Sequence, residues 1–159
     1  MVNRRVKFLR GAAAVLLAAG VTTGVTAVGA GAQQDSVADE AVVELAPITF
    51  TDTQARRGEA SYGSSCSRCH GADLRGVDGP PLVGEFFEER WADRSASEFL
   101  VRMTATMPAD SPGSLSSRQY LALVAYIARE NGAVASDTAL SSDEQILAST
   151  GFIEATVEE

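Results

Sequence analysis

An apolar stripe at helical spacing is the clearest pattern in the chain, and it lies near residues 117–131. Side chains three or four positions apart share one face of a helix. The stripe consists of Tyr120, Leu123, Val124 and Ile127, with Tyr126 at its edge. Ser116 with Gln119 has the capping-box pattern that begins a helix, and Asn131-Gly132 closes it. The pattern predicts an amphipathic helix here.

Two further helices are predicted upstream of this stripe. Ser95 with Glu98 forms another capping box, and the apolar face that follows it consists of Phe99, Leu100 and Met103. An earlier helix begins near Thr53, with Thr51 or Thr53 as its N-cap, and runs towards residue 66. Because the chain has no alternating strand pattern, we predict an all-α fold.

Gly58 lies inside the first predicted helix, on the same face as Tyr62 and Cys66. Glycine in a helix costs up to ~1 kcal/mol relative to alanine, so its presence needs a reason. Close approach by another helix supplies that reason. The helix near residues 117–131 is the expected partner.

The stretch Cys66-Ser67-Arg68-Cys69-His70 carries chemistry, because Cys-x-x-Cys-His is the attachment sequence of a c-type haem. On a helical turn, offsets of three and four place Cys66, Cys69 and His70 on one side. Both sulfurs can then bond the porphyrin while the imidazole reaches the iron. The chain has no other cysteine or histidine. We therefore predict one covalent haem c per chain, attached to Cys66 and Cys69 and ligated by His70.

Three other roles are known for a Cys-x-x-Cys pair. A thioredoxin-type redox couple expects a strand-helix-strand context, which this sequence lacks. A structural zinc site usually has four protein ligands, and this chain offers only three soft ones. A plain disulfide is the third alternative in an exported protein. Haem attachment is favoured because the rest of the sequence agrees with it.

The first 32 residues have the pattern of an export signal. Basic residues precede an uncharged run over residues 11–32, and Ala30-Gly31-Ala32 suits a signal-peptidase site. A retained membrane anchor is the alternative, since the run is long enough to span a bilayer. Its scarcity of large apolar side chains favours cleavage. We predict an exported protein, periplasmic or on the outer face of the cytoplasmic membrane.

Charge and composition divide the remainder of the chain. The whole sequence has 13 basic and 21 acidic residues, a net charge of −8, and four of the basic residues lie in the export signal. The rest is strongly acidic, which excludes nucleic acid and favours a basic or neutral docking partner. We predict a linker over residues 33–51, a domain over 52–132, and an acidic tail over 133–159 with a short, loosely docked helix.

Residues 53–132 resemble a class I c-type cytochrome. The motifs that carry the resemblance are the Gly58/Tyr62 helix, the haem motif, Gly79-Pro80-Pro81-Leu82, Met107-Pro108 and the Leu123/Tyr126 helix. The resemblance implies a cytochrome c fold, with three or more helices around one covalently bound haem. It also implies that the first and last helices cross at Gly58. The Pro80 carbonyl would accept a hydrogen bond from the second ring nitrogen of the haem-ligating histidine.

A narrower resemblance extends through Arg90-Trp91 and through Pro112-Gly113-Ser114-Leu115. It is to the cytochromes c, or cytochrome domains, that partner bacterial quinoprotein alcohol and sugar dehydrogenases. It implies redox partners such as a quinoprotein dehydrogenase, a terminal oxidase or another cytochrome. We interpret Arg90-Trp91 as donors to a haem propionate, with a core tryptophan and a solvated arginine as the alternative. Phe86 and Phe87 are predicted to be core residues.

The sixth iron ligand is predicted to be Met107, with Met103 and water as the alternatives. After removal of the export signal the chain has no other methionine, no lysine and no second histidine. Met103 lies on the apolar face of its helix, where methionine usually fills the core. Met107 precedes Pro108, and a residue before proline adopts extended geometry, which frees its side chain to point at the iron.

With histidine and methionine on its two sides, the iron has no open position for a substrate. The sequence therefore predicts an electron carrier and not an enzyme, although it could be a subunit of a dehydrogenase complex. The alternative is a haem enzyme or gas-binding sensor with a displaceable methionine.

Overall fold

A computed structural model describes residues 44–153, in which six helices and no strand occur. The helices are α1 Asp52–Ser65, α2 Ser67–His70, α3 Glu85–Trp91, α4 Ala96–Thr106, α5 Ser117–Glu130 and α6 Glu144–Ala148. The all-α prediction is confirmed. The predicted export signal, most of the predicted linker and the last six residues lie outside the described residues. None of the helices within residues 44–153 combines the length and the hydropathy of a membrane span.

Local capping sets where the three long helices begin. Thr51, Ser95 and Ser116 are the N-caps of α1, α4 and α5, and each accepts a hydrogen bond from the backbone of the residue three positions later. In each case the side chain of that later residue also accepts from the N-cap backbone, which completes a capping box. Both predicted capping boxes are therefore confirmed, and Thr51 rather than Thr53 caps the first helix.

Helices α1 and α5 form the most extensive helix pair in the described chain, and they cross at Gly58. A Cβ atom added to Gly58 would lie 1.9 Å from the carbonyl oxygen of Ala122 and 2.6 Å from the Cβ of Tyr126. No side chain fits in this space, because the opposing atoms include rigid backbone. The close approach predicted at Gly58 is confirmed.

Replacing Gly58 by alanine is expected to lower the free energy of unfolding by about 1–3 kcal/mol, because the added methyl group overpacks the helix contact. Denaturant unfolding followed by circular dichroism measures this change. Gly63→Ala is a matched control in the same helix, since a Cβ there meets nothing within 4 Å. It should raise stability by about 0.5–1 kcal/mol through helix propensity. An equal gain at Gly58 would contradict the crossing.

The chain on both sides of the helical domain folds back onto it. Ala46 accepts a hydrogen bond from the N–H of Gly151 at 2.8 Å and donates to the Ser149 carbonyl at 2.9 Å. The Phe152 N–H donates to the Arg94 carbonyl at 2.9 Å, and the Phe152 side chain is fully buried. The tail therefore contains the predicted short helix, α6, but its last described residues are buried in the core rather than loosely docked.

An aromatic cluster joins this tail to the domain. It consists of Phe87, Trp91, Phe99 and Phe152. Phe152 stacks on Phe99, with ring centroids 3.9 Å apart, and Trp91 meets Phe99 edge to face at 4.8 Å. Trp91 thus occupies the core position of the alternative interpretation, and Arg90 is exposed. The core prediction holds for Phe87 but is wrong for Phe86, which is 56% exposed.

Candidate functional site

The candidate site is built on α2, the helical turn that follows α1. Cys66 links the two helices: its N–H donates to the Tyr62 carbonyl at 2.9 Å, and its own carbonyl accepts from the N–H of His70 at 3.0 Å. The helical turn predicted for the motif is therefore present. Both cysteines are half-buried free thiols, whereas His70 is 7% exposed. Cys66, Cys69 and His70 therefore lie on one short helical segment.

The loop after α2 wraps tightly around the motif. The Cys69 carbonyl accepts hydrogen bonds from three successive N–H groups, those of Val77, Asp78 and Gly79, at 3.0, 3.1 and 2.8 Å. A Cβ atom on Gly79 would lie 2.9 Å from the Cε1 atom of His70. Glycine is therefore needed here so that the loop backbone can lie directly against the imidazole ring.

A single hydrogen bond orients the His70 ring. Its Nδ1 atom lies 2.8 Å from the carbonyl oxygen of Pro80. Because a carbonyl oxygen can only accept, Nδ1 carries the proton and donates it, and in the neutral ring this leaves the lone pair on Nε2. Such an outer partner fixes the ring and raises the basicity of the ligand. The bond that the family resemblance implies is thus confirmed.

Met107 lies where α4 ends. Its φ and ψ are −129° and 150°, so its backbone is extended, as predicted for a residue before proline. Its side chain is half-buried, while Met103, one turn earlier, is 8% exposed within the core. The two methionines therefore differ as expected: Met103 packs in the core, and Met107 leaves the helix.

An ion pair connects the motif with the segment that follows Met107. Arg68, inside the Cys-x-x-Cys motif, lies 3.6 Å from the carboxylate of Asp110. Both side chains are mostly exposed, so the pair contributes little stability. It shows, however, that α2 and the loop after α4 are neighbours in the folded chain.

Burial sets the chemistry of the first thiol. Burial away from water, and to a smaller extent the charge of the nearby Cys69, raises the pKa of Cys66 to about 11. A thiol with a raised pKa stays protonated near neutral pH, whereas thioredoxin-type couples depend on a lowered one. Within residues 44–153, no three His, Cys, Asp or Glu side chains form a group that could hold a metal ion.

The hydrogen bonds of two tyrosines at the site were not predicted from the sequence. The Tyr62 hydroxyl donates to the Gly71 carbonyl at 2.6 Å, directly after His70. The Tyr120 hydroxyl donates to the Met107 carbonyl at 2.7 Å. Burial, more than the nearby Cys66, raises the pKa of Tyr62. Both residues fall on predicted helix faces, but nothing in the local sequence identifies the partner of a hydroxyl group.

The residues present fit a c-type haem. Two half-buried thiols lie within one helical turn of a buried histidine whose Nε2 has its lone pair free. Half-buried apolar side chains border the core, among them Leu82, Leu100, Met107 and Leu115. This donor set, two thiols and one oriented imidazole, suits covalent attachment of a porphyrin and ligation of its iron.

Comparison with known proteins agrees with this geometry. Residues 53–127 match the family model described as "Cytochrome C oxidase, cbb3-type, subunit III". The matched region runs from α1 through the Cys66–His70 motif into α5 and supports a class I c-type cytochrome domain. No curated protein and no solved structure matches the chain. A cytochrome c domain implies haem c, and by itself it is an electron carrier rather than an enzyme.

Proposed function

We propose, from the premise that residues 53–127 form a class I cytochrome c domain, that this chain is an exported electron carrier. In this proposal Cys66 and Cys69 hold one covalent haem c, and His70 and Met107 ligate its iron. When bound, the haem supplies a one-electron couple, and ligation by methionine and histidine raises its potential. The observation that carries the proposal is the hydrogen bond of 2.8 Å between the Nδ1 atom of His70 and the Pro80 carbonyl.

The contribution of His70 follows from its surroundings. The Pro80 carbonyl keeps the proton on Nδ1, so that Nε2 is available as a ligand. Close packing of Gly79 against the ring limits its rotation. A ligand held in one orientation needs little rearrangement when charge changes beside it, which suits rapid electron exchange.

The contribution of Met107 follows from its backbone. It is extended and half-buried at the end of α4, while Met103 is committed to the core. With His70 and Met107 both as ligands, a bound haem iron would have no free position for a substrate. The function this supports is electron transfer, and not catalysis at the iron.

Redox proteins are the proposed partners. The family description names an oxidase subunit, which suggests a terminal oxidase as electron acceptor. The narrower sequence resemblance suggests a quinoprotein dehydrogenase as donor. The acidic composition favours partners with a basic or neutral surface. The export-signal pattern of residues 1–32 supports a periplasmic location, with membrane attachment only if that segment is retained.

Carbon monoxide provides the test of this function. The reduced wild-type protein should not bind carbon monoxide at neutral pH, because the Met107 thioether occupies the sixth position. A haem enzyme or gas sensor with a displaceable methionine would bind it. Clear binding by the native protein would therefore contradict the electron-carrier proposal.

Replacing Met107 by alanine should remove the long-wavelength ferric absorption band that thioether ligation produces. The reduction potential should fall, because methionine favours the reduced iron, and the reduced variant should gain carbon monoxide binding. Met103→Leu is the matched control: a volume-conserving change in the core, it should leave band and potential nearly unchanged. Absorption spectra and a redox titration measure both variants. The opposite pattern would assign the ligand to Met103.

A further inference from the structure

We propose that Tyr120 is the positioning residue that holds Met107 in its ligating geometry. This inference rests on the proposed function, since it concerns the sixth ligand assigned there. It adds a residue from a different helix, thirteen positions along the chain from the methionine. Tyr120 does not touch the reacting atoms and acts through the backbone of Met107.

The contact itself is short and partly buried. The Tyr120 hydroxyl donates to the Met107 carbonyl at 2.7 Å, and Tyr120 is 2% exposed. The Ser116 capping box begins α5 four residues before Tyr120, and α5 packs along α1. The hydroxyl therefore projects from the most extensively packed part of the domain. Its position is set by that helix pair and not by the loop that it contacts.

The segment after Met107 packs on the domain through buried Pro108 and half-buried Leu115, but it has few hydrogen bonds to other elements. The Ser111 N–H donates to Pro108 at 2.9 Å, and the Gly113 N–H donates to Met107 at 3.3 Å, both within the segment itself. The Arg68–Asp110 ion pair reaches outside it but is mostly exposed. Exposed pairs of this kind contribute little. The Met107 N–H donates to the Met103 carbonyl of α4 at 2.8 Å, and the Tyr120 hydroxyl holds the Met107 carbonyl from α5 at 2.7 Å. The Tyr120 hydroxyl is thus the side-chain hydrogen bond that ties this segment to a second helix.

The consequence for ligation is thermodynamic. If the Met107 segment swings away from the iron, its carbonyl leaves the Tyr120 hydroxyl, and a buried donor loses its partner. The state in which Met107 ligates the iron is therefore favoured over the state in which it does not. The difference is about the net free energy of that hydrogen bond, which corresponds to roughly tenfold in the equilibrium constant between the two states. A competing ligand must overcome this factor before it can replace the thioether.

Imidazole titration of the ferric holoprotein is the test, with loss of the long-wavelength band as the signal. Tyr120→Phe removes the hydroxyl and keeps the ring, and it should bind imidazole about tenfold more tightly than wild type. Tyr126→Phe is the matched control on the same helix. The Tyr126 ring packs 5.3 Å from the Tyr62 ring and beneath the Arg129 guanidinium, and its hydroxyl is not bonded to Met107. Its affinity for imidazole should stay at the wild-type value.

Tyr62→Phe is a second control, which distinguishes an effect on iron ligation from a general loss of stability. It also removes a hydroxyl that donates to a backbone carbonyl, but on the His70 side of the site. Denaturant unfolding should show a loss of stability for Tyr62→Phe as well as for Tyr120→Phe, while only Tyr120→Phe gains imidazole affinity. Wild-type affinity in Tyr120→Phe, with or without lower stability, would overturn the inference.

A measurement on the wild-type protein covers the case in which Tyr120→Phe fails to fold. Imidazole binding should speed exchange of the Tyr120 hydroxyl proton with solvent, as seen by nuclear magnetic resonance, and unchanged exchange would overturn the inference. Failure of the proposed ligand looks different. If the long-wavelength band is absent from the wild-type protein, or survives in Met107→Ala, both proposals are wrong. If the band is present in the wild-type protein and lost in Met107→Ala, but Tyr120→Phe binds imidazole like wild type, only this inference is wrong.

Discussion

Replacing both Cys66 and Cys69 by serine is expected to abolish covalent haem attachment completely. The chain has no other thiol, so no thioether can form at any other position. His70 would keep its hydrogen bond to Pro80, because that bond does not involve the cysteines. The mature protein, produced in cells with cytochrome maturation machinery, is run on a denaturing gel and stained for haem peroxidase activity. The double variant should show no stain.

Single variants and a neighbouring serine provide the controls. Cys66→Ser and Cys69→Ser should each retain at most one thioether. Ser67→Ala lies between the two cysteines, where its side chain donates only to the Gly63 carbonyl, and it should stain as strongly as wild type. Haem that remains attached in the double variant, or a wild-type protein that never carries haem, would refute the attachment proposal.

Replacing Phe152 by alanine is expected to lower the free energy of unfolding by about 3–5 kcal/mol, the usual cost of truncating a buried aromatic ring. Phe152 is fully buried, stacks on Phe99 at 3.9 Å and meets Phe87 edge to face at 5.9 Å. Alanine would leave a cavity between the tail and the domain, because both other rings lie on helices that cannot collapse into it. Denaturant unfolding of the holoprotein measures the loss.

Phe86→Ala is the control for this experiment, because Phe86 is of the same residue type and is 56% exposed. Its stability change should stay within about 0.5 kcal/mol, as for most surface substitutions. Similar losses at both positions would mean that Phe152 does not anchor the tail. The result matters because Phe152 lies beyond the family match, which ends at residue 127.

Local chemistry was readable from the sequence because it depends on neighbours three and four residues apart. Ser95 and Ser116 predicted capping boxes that the structure contains, and Cys66–His70 predicted a helical turn. Met107 predicted an extended residue because proline restricts the residue before it. The position of Gly58 indicated a helix crossing, because glycine within a helix lowers stability and a close helix contact offsets that cost.

Contacts between distant segments became visible only in the packing of the helices. Phe86 and Phe87 are neighbours of identical type, and only the packing of α3 shows that the second faces the core.

Trp91 has an indole N–H that could donate a hydrogen bond. In the structure, however, the tail packs Phe152 against Trp91, and Trp91 is a core residue. The partner of the Tyr120 hydroxyl, thirteen residues away, follows from where the chain returns and from no local spacing. The sequence predicted the three long helices and the residues that suit a haem, because those depend on short-range geometry, whereas the short helix α3 was not predicted. The fold decided which side chains hold that site in place, because a buried hydroxyl or aromatic ring takes its partner from whatever segment packs against it.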